Sequence, residues 1–197
     1  MNYFKTLPKL IVRDNQSTQV ITNLLARSSI ISSMLTDPLL FYSYDVQDSD
    51  TPEIIAHKYY DDMERFWIVL FANQILDPQW DWPMSGFVFN KYIENKYTPS
   101  ELIEVHHYEK IITQTDNISG TVTVEKIVID EDTYNDLSPS TNTYTLPSGT
   151  ATIAITKKTV DNFEYEMTLN ESKRNIKLLN KAYAGRLEEE FNKLMNT

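Results

Sequence analysis

The chain contains no cysteine. Disulfide bonds, thiolate zinc sites and cysteine nucleophiles are therefore excluded, and the absence fits a protein made in a reducing compartment. Glycine is also scarce, with four residues among 197, and their scattered positions offer no phosphate-binding loop. The chain thus lacks residues on which several common classes of enzyme depend.

Long apolar runs and clusters of positive charge are missing as well. The longest apolar run, Phe66–Ala72, is far shorter than the roughly 20 residues of a membrane helix, and the first residues lack the apolar segment of a signal peptide. The chain has 18 basic and 28 acidic residues, a formal net charge of -10. We therefore expect a soluble protein that binds neither nucleic acid nor an anionic membrane.

The rest of the composition is that of a folded globular protein. Hydrophobic residues make up 41% of the chain and aromatic residues 12%, which suits a sizeable core in one large domain or two small ones. All three tryptophans lie within residues 44–83, and Trp67, inside the apolar run, is expected in the core. This segment could form a catalytic pocket, a ligand cleft or a small core on which a partner docks.

The first forty residues read as an N-terminal arm. Val20 and Leu24 recur at helical spacing, and Ser17 is a suitable N-cap, so we expect a helix over 17–35. The next segment predicts a strand followed by helices, because aromatic residues give way to capping residues and 3.6-residue spacing. The strand is expected over 39–46, and the helices from Pro52 with Asp50 or Thr51 as cap, over 61–73, and from Ser85.

Strand patterns dominate residues 102–169, where alternating or β-branched stretches are separated by turn-forming residues. The alternation changes phase near Lys126, which predicts a bulge or a strand end there. The strands are expected over 102–109, 121–129, 150–158 and 163–169.

Apolar residues in the last segment recur at spacings of three and four. This predicts an amphipathic helix that begins after Asn170 and breaks near Gly185. Such a helix could close its own core or dock on a partner, and the sequence favours the former. The patterns predict an α+β protein in four parts: an N-terminal arm (1–40), a helical module (41–97), a β-rich region (98–169) and a C-terminal helical segment (170–197).

No catalytic or metal-binding constellation is visible. Adjacent residues of a strand point to opposite faces, so His106 and His107 are not expected to share a metal ion, and His57 stands alone. No serine-hydrolase, P-loop or dinucleotide fingerprint occurs. We expect no catalytic residues, no metal and no cofactor.

Two acidic groups need explanation. The acids within 61–64 lack the spacing of a calcium loop, and helix capping accounts for them. Asp77 and Asp81 lie beside Trp80 and Trp82, as in a sugar cleft with paired carboxylates. Both acids lie in one short loop, however, and the two tryptophans alternate, so one of them is expected to be exposed.

Residues 44–78 resemble a LysM module, a small fold with the order strand, helix, helix, strand. Residue types, order and spacing agree with the LysM pattern, but residues 81–97 read as helix where a carbohydrate-binding module continues into a glycine turn and a closing strand. The matching residues are Tyr44, Val46, Asp50, Thr51, Ile55, Ala56, Tyr59, Trp67, Ala72, Asn73, Asp77 and Pro78.

The whole chain resembles the baseplate wedge protein family of contractile-tailed bacteriophages, whose members carry an embedded LysM-like module. The least similar part is 112–166. The motifs that carry the resemblance are "YF…P" (Tyr3, Phe4, Pro8), "DTPE", "FWIVLFAN", "DWP", "YIENKY", "HHYE" and "NESKRNIKLL".

The resemblance implies a structural protein of the virion that joins neighbouring wedges around the tail hub. Its partners would be other baseplate wedge proteins, sheath-initiator proteins and hub proteins, with six copies per baseplate and assembly in the host cytoplasm. The alternative is a LysM-type cell-wall module that binds N-acetylglucosamine chains through Trp80 or Trp82.

Partner binding is expected at the loops that flank the two module helices, where LysM folds present their ligand surface, and at a separable second surface on the C-terminal segment. The candidate residues are Asp48, Asp50, Thr51, Asp77, Pro78, Gln79, Trp80, Trp82, Arg174 and Lys177.

Overall fold

The computed structural model describes residues 3–14, 17–26, 28, 30, 37–147 and 149–195. Helices and strands are both abundant, which confirms the α+β class. The chain divides into two compact units, one formed by Met1–Phe87 with Asn170–Thr197 and the other by Val88–Leu169. No helix in the described part of the chain is long and apolar enough to cross a membrane.

The N-terminal arm is a β-hairpin that follows a short helix, α1 (Tyr3–Thr6). The helix expected over 17–35 is wrong where the structure describes that range, because strand β2 (Ser17–Thr22) pairs antiparallel with β1 (Lys9–Asp14). Four of the six residues of β2 are β-branched, and such side chains favour strands over helices. Positions 27, 29 and 31–36 of the expected helix lie outside the described residues.

The body of the first unit is a two-stranded antiparallel sheet with helices around it. The strand expected over 39–46 and the helices from Pro52 and Ser85 are confirmed. The helix expected over 61–73 begins at Met63 as a 3₁₀ turn and ends at Ala72, and the loop expected after it contains a short helix, Pro78–Asp81. The elements are β3 (Phe41–Asp45), α2 (Pro52–Tyr60), a 3₁₀ turn (Met63–Arg65), α3 (Phe66–Ala72), α4 (Pro78–Asp81), β8 (Asn175–Leu179) and α9 (Lys181–Met195).

Helix α2 begins as its sequence predicts. Thr51 is the N-cap, and its side chain accepts a hydrogen bond from the backbone N of Ile54 at 3.3 Å. Pro52 occupies the first turn, where its missing N–H costs nothing. The helix ends at Asp61, which adopts a left-handed conformation with φ of 58°.

The C-terminal segment departs from prediction in its first half. Residues 175–179 form strand β8 instead of helix, because Ile176 and Leu178 are buried while Lys177 between them is exposed, which is the period of a strand. Strand β8 pairs antiparallel with β3. Helix α9 then runs without a break through Gly185, contrary to the expected interruption.

One apolar cluster forms the core of the first unit. Trp67 is 3% exposed, as predicted, and its ring lies 5.6 Å from Tyr3, 6.0 Å from Phe71 and 4.9 Å from Phe191. The N-terminal arm, α3 and α9 therefore meet at one side chain. The C-terminal segment is part of this core, so the prediction of a separable second surface there is wrong.

The second unit is built on a four-stranded antiparallel sheet in the order β5-β4-β7-β6. The strands are β4 (Val105–Asp116), β5 (Val122–Ile129), β6 (Ser140–Leu146) and β7 (Gly149–Asp161). The helices are α6 (Pro99–Leu102), α7 (Glu131–Asp136) and most of α5 (Gly86–Lys96) and α8 (Asn162–Ser172), whose outer ends belong to the first unit. Strand β6 and the short helices α6 and α7 were not predicted.

Residues 163–169 form part of helix α8, so the strand expected there is wrong. The helix buries polar positions four residues apart, Glu166 and Asn170, and an apolar pattern could not show this. The Glu166 carboxylate accepts hydrogen bonds from Lys96 Nζ at 2.6 Å and Tyr97 OH at 2.9 Å. These partners satisfy the buried charge, as burial requires.

The irregularity in the sheet is not where the sequence predicts it. Strand β5 pairs regularly with β4 through Lys126, whereas the register of β4 against β7 shifts between Val105 and His107. The shift brings the neighbouring rings of His106 and His107 together, with their Nδ1 atoms 2.8 Å apart. The expectation that they point to opposite faces is therefore wrong, because a bulge breaks strict alternation.

Candidate partner-binding surface

The loop after β3 is held in place by the buried carboxylate of Asp50. Its Oδ2 accepts hydrogen bonds from Tyr44 OH at 2.7 Å and from the backbone N of Gln47 at 3.1 Å, and its Oδ1 lies 2.6 Å from Lys58 Nζ. Burial opposes ionisation of Asp50, but these three donors outweigh it and lower the pKa of the carboxyl. The hydrogen bond to Asp50 in turn raises the pKa of Tyr44 to about 12.

The same residue joins the two loops that were predicted to bind a partner. The backbone O of Asp50 accepts a hydrogen bond from Trp82 Nε1 at 3.1 Å, and Trp82 is 9% exposed. Two of the candidate residues are thus inside the protein, where they fix the loops on which the others lie.

Replacing Asp50 with asparagine is expected to lower the free energy of unfolding by about 1–3 kcal/mol at pH 7, because the buried network loses its negative charge and one of its two acceptor oxygens. The folded-state pKa of Asp50 is lowered, so its stabilisation is complete above the unfolded pKa of about 3.9 and is lost as the pH falls through the folded pKa. The gap between wild type and Asp50→Asn should therefore shrink below about pH 4.

Urea unfolding between pH 3 and pH 7 measures this gap, and Asp45→Asn is the matched control. Asp45 is exposed in the strand just before, so its replacement should change stability by less than about 0.5 kcal/mol. A gap that stays constant with pH would contradict the role given to Asp50.

A polar recess of about 530 Å³ lies beside this loop, and Arg174 crosses it. Arg174 Nη2 is 2.6 Å from Asp48 Oδ1, and its Nε is 2.8 Å from Glu171 Oε1. The hydrogen bond from Arg174 and a second one from the backbone N of Gly86 lower the pKa of the exposed Asp48. The recess is acidic overall, because it is lined by one guanidinium and by three carboxylates, those of Asp45, Asp48 and Glu171.

The second loop presents the exposed tryptophan. Asp77 caps α4 by accepting a hydrogen bond from the backbone N of Gln79 at 3.0 Å, and the Asp81 carboxylate accepts one from the backbone N of Asp77 at 3.1 Å. Trp80 is 53% exposed, and its backbone O accepts a hydrogen bond from Lys173 Nζ at 2.6 Å. One exposed and one buried tryptophan is the arrangement that the alternation predicts.

Lys177 lies in a different setting from the loops. Its backbone N donates to Asn73 Oδ1 at 2.8 Å, and its backbone O accepts from Asn73 Nδ2 at 2.8 Å. These bonds tie the end of α3 to β8. The backbone that carries the exposed Lys177 side chain is therefore held in place.

Two further surfaces were missed by sequence reasoning. An apolar recess of about 760 Å³ is lined by residues of β3, α3 and α9, among them Phe41, Phe71, Leu187 and Phe191. Its walls are far apart in the chain, so no local pattern reveals it. The second surface is the β1–β2 hairpin, which the β-branched residues of 9–22 could have indicated.

No group of three or more metal-binding side chains occurs among the residues that the structure describes. In the second unit, His106 stacks on Tyr165 with ring centroids 3.8 Å apart, and His107 Nε2 is 3.4 Å from Glu109 Oε1. The two histidines thus pack within their own sheet and helix. The exposed loops and faces of the described residues are therefore better candidates for a functional site, through protein contacts, than a catalytic centre.

The chain was compared with models of known protein families. Residues 9–194 match the family model described as Base plate wedge protein 53, which covers well over half of the chain. No curated protein matches the chain.

Proposed function

The chain belongs to the Base plate wedge protein 53 family, structural proteins of the phage tail baseplate, and we propose that it joins adjacent wedges around the central hub through protein–protein contacts. Its contribution is structural and not catalytic. Its partners are other wedge proteins, sheath-initiator proteins and hub proteins of a contractile tail, with six copies per baseplate, assembled in the host cytoplasm. The observation that carries the proposal is the family match over 9–194.

We further propose that the first unit contains a LysM-like module completed by the C-terminal strand. Strand β3, helices α2 and α3, and strand β8 follow the order strand, helix, helix, strand, and the two strands pair antiparallel. The closing strand comes after an insertion that includes the four-stranded sheet. This accounts for helix α5 (Gly86–Lys96) at the place where a shorter module would close.

Within this module, the exposed loop residues form the partner surface, and buried Asp50 and Trp82 position them. Trp80 offers an aromatic side chain of the kind that anchors protein interfaces. Acidic Asp48 and basic Arg174 and Lys177 give the surface charges of both signs, which favour specific orientation of a partner. The remaining members of this surface are Thr51, Asp77, Pro78 and Gln79.

A phage that lacks this gene tests the proposed function. Electron microscopy of infected-cell extracts should show single wedges but no closed baseplates, and supply of the wild-type gene on a plasmid should restore tails. Complete baseplates in the absence of the protein would refute the joining role.

The chain is expected not to bind chitin oligomers. Trp82 is buried, so the loop offers one tryptophan instead of a pair as a platform for sugar rings. Isothermal titration with a chitin oligomer at millimolar concentration measures this, and a LysM protein that binds the oligomer is the positive control. Saturable heat from the wild type that disappears in Trp80→Ala would favour the cell-wall alternative.

A further inference from the structure

The β1–β2 hairpin exposes apolar side chains on both of its faces. Leu10 and Ile21 are paired across the strands and lie on one face, and both are about 45% exposed. Ile11 and Val20 are paired on the other face, at 64% and 67% exposure. A surface that covered one face would leave the other in water.

The hairpin is also a sheet of two strands only. In the described part of the chain, neither outer edge of β1 or β2 pairs with another strand. An isolated two-stranded hairpin is marginally stable in water, and unpaired backbone groups at an edge are a template for another strand. A partner that continues the sheet would satisfy an edge and shield apolar side chains on both faces.

A second apolar edge exists in the same chain, at β5. This strand lies at one side of the four-stranded sheet, and seven of its eight residues are exposed. Val122 and Val124 are 55% exposed, and Val128 is 67% exposed. Lys126 is the one basic residue in the strand, and Glu109 lies 3.9 Å from it within the sheet, which offsets its charge.

The opposite edge of that sheet is different in character. Strand β6 begins with the polar residues 140–143, of sequence Ser-Thr-Asn-Thr. Among the described side chains of β6, one large apolar residue is exposed, Tyr144 at 49%, so its outer edge offers less apolar surface to a further strand than β5 does. The contrast singles out β5 as the edge suited to an apolar hairpin, and it supplies β6 as a matched control.

Charge favours contact between these two edges. The hairpin, residues 9–22, contains two basic residues and one acidic residue, a net charge of +1, whereas Val88–Leu169 contains 13 acidic and six basic residues, a net charge of -7. A positively charged hairpin is thus attracted to a second unit of opposite sign, and such complementarity raises association rates and fixes orientation. The chain itself carries both halves of a complementary contact.

We propose that the hairpin of one copy pairs along β5 of a second copy and extends its four-stranded sheet to six strands. The contact is head to tail, because the two surfaces differ, and head-to-tail contacts form either closed rings or open chains. The inference rests on the proposed function and deepens it, since it gives six copies around a hub a direct contact with one another. When a ring closes, its last contact forms within one assembly, and the high effective concentration of the two surfaces strengthens the binding.

Single cysteines test the contact, because the natural chain has none. One preparation carries Val20→Cys in the hairpin, and another carries Val128→Cys on β5. After mixing, a short bismaleimide joins cysteines without the strict geometry that a disulfide requires. Any cross-link between the two variants must then join two copies.

The expected result is at least tenfold more cross-linked heterodimer from Val20→Cys with Val128→Cys than from Val20→Cys with Thr141→Cys, the control on β6. Arg13→Glu in the hairpin should reduce the yield severalfold. All cysteine variants must show the melting temperature of wild type. The same chemistry is applied to tails from phage that carry Val20→Cys and Val128→Cys in one chain, where a ladder of linked copies is expected.

The possible failures are distinguishable. If the protein is present in the tails but neither purified chains nor tails show cross-links above the β6 control, the pairing of copies is wrong and the structural role stands. Cross-links from Val20→Cys to another baseplate protein, or mainly to Val20→Cys of another copy, overturn it equally. If the protein is absent from tails, the proposed function itself is wrong.

Discussion

Replacing Trp67 with alanine is expected to lower the free energy of unfolding by about 3–5 kcal/mol, the usual cost of removing a buried aromatic side chain. The ring is 3% exposed and contacts Tyr3, Phe71 and Phe191. These neighbours come from three separate segments, so local collapse can fill little of the space. We therefore expect a value near the upper end of the range.

Urea unfolding followed by far-UV circular dichroism measures the effect without relying on tryptophan fluorescence. The control is Trp80→Ala, which removes the same kind of side chain from an exposed position and should cost less than about 0.5 kcal/mol. Equal unfolding midpoints for the two variants would contradict the core assignment.

Trp67→Phe should cost much less than Trp67→Ala. The indole Nε1 is buried and has no hydrogen-bond partner among the described residues. Phenylalanine removes this unsatisfied donor, which costs about 1–3 kcal/mol when buried, while it keeps most of the apolar volume. A loss as large as that of alanine would contradict this expectation and show that the phenylalanine ring recovers none of the packing of the indole.

Truncation of the chain after Asn180 is expected to abolish cooperative unfolding of the first unit. The cut removes α9, which contributes Ala184, Phe191 and Met195 to the buried core. It also removes Glu188, whose carboxylate binds Arg65 through two hydrogen bonds of 3.0 and 3.3 Å. Loss of the two large side chains, Phe191 and Met195, at about 2–5 kcal/mol each is comparable to the whole 5–15 kcal/mol available to a typical protein.

The control replaces the hairpin, residues 9–22, with a short Gly-Ser linker. The backbone N of Asn23 donates to the backbone O of Pro8 at 2.8 Å, so a short linker can close the gap. The apolar residues of the hairpin are exposed, and the melting temperature should stay within a few degrees of wild type. A truncated chain that melts like this control would show that α9 is dispensable for the core.

The parts of the fold that sequence reasoning predicted are those whose signals are local. Thr51, Pro52 and the apolar run after Arg65 define α2 and α3 by capping and spacing alone. Helix α8 was missed because its buried positions, Glu166 and Asn170, are polar, although Asp161 caps it by accepting a hydrogen bond from the backbone N of Glu164 at 2.7 Å. Strand β8 was not predicted because its alternation covers five residues only and is followed directly by residues at helical spacing.

The candidate surface was predictable to a similar extent. The sequence identifies the two loops, and alternation predicts that one of Trp80 and Trp82 is exposed. It does not predict that Asp50 faces inward, because that depends on Lys58 and Trp82 reaching it from other elements. The β5 edge and the hairpin are features of strand order, which no single segment encodes.

The pairing of β3 with β8 also means that the first unit cannot finish folding until the C-terminal strand has been synthesised. Ser43 and Asn175 form a hydrogen bond across the two strands but are separated by 132 residues in the chain. At ~5–20 residues per second, the ribosome therefore needs roughly 7–26 s after the synthesis of β3 to synthesise β8. The second unit lies wholly between the two strands and can fold during that wait. The nascent first unit, with its aromatic face still open, is then the stage at which a chaperone or a neighbouring nascent chain would find this protein.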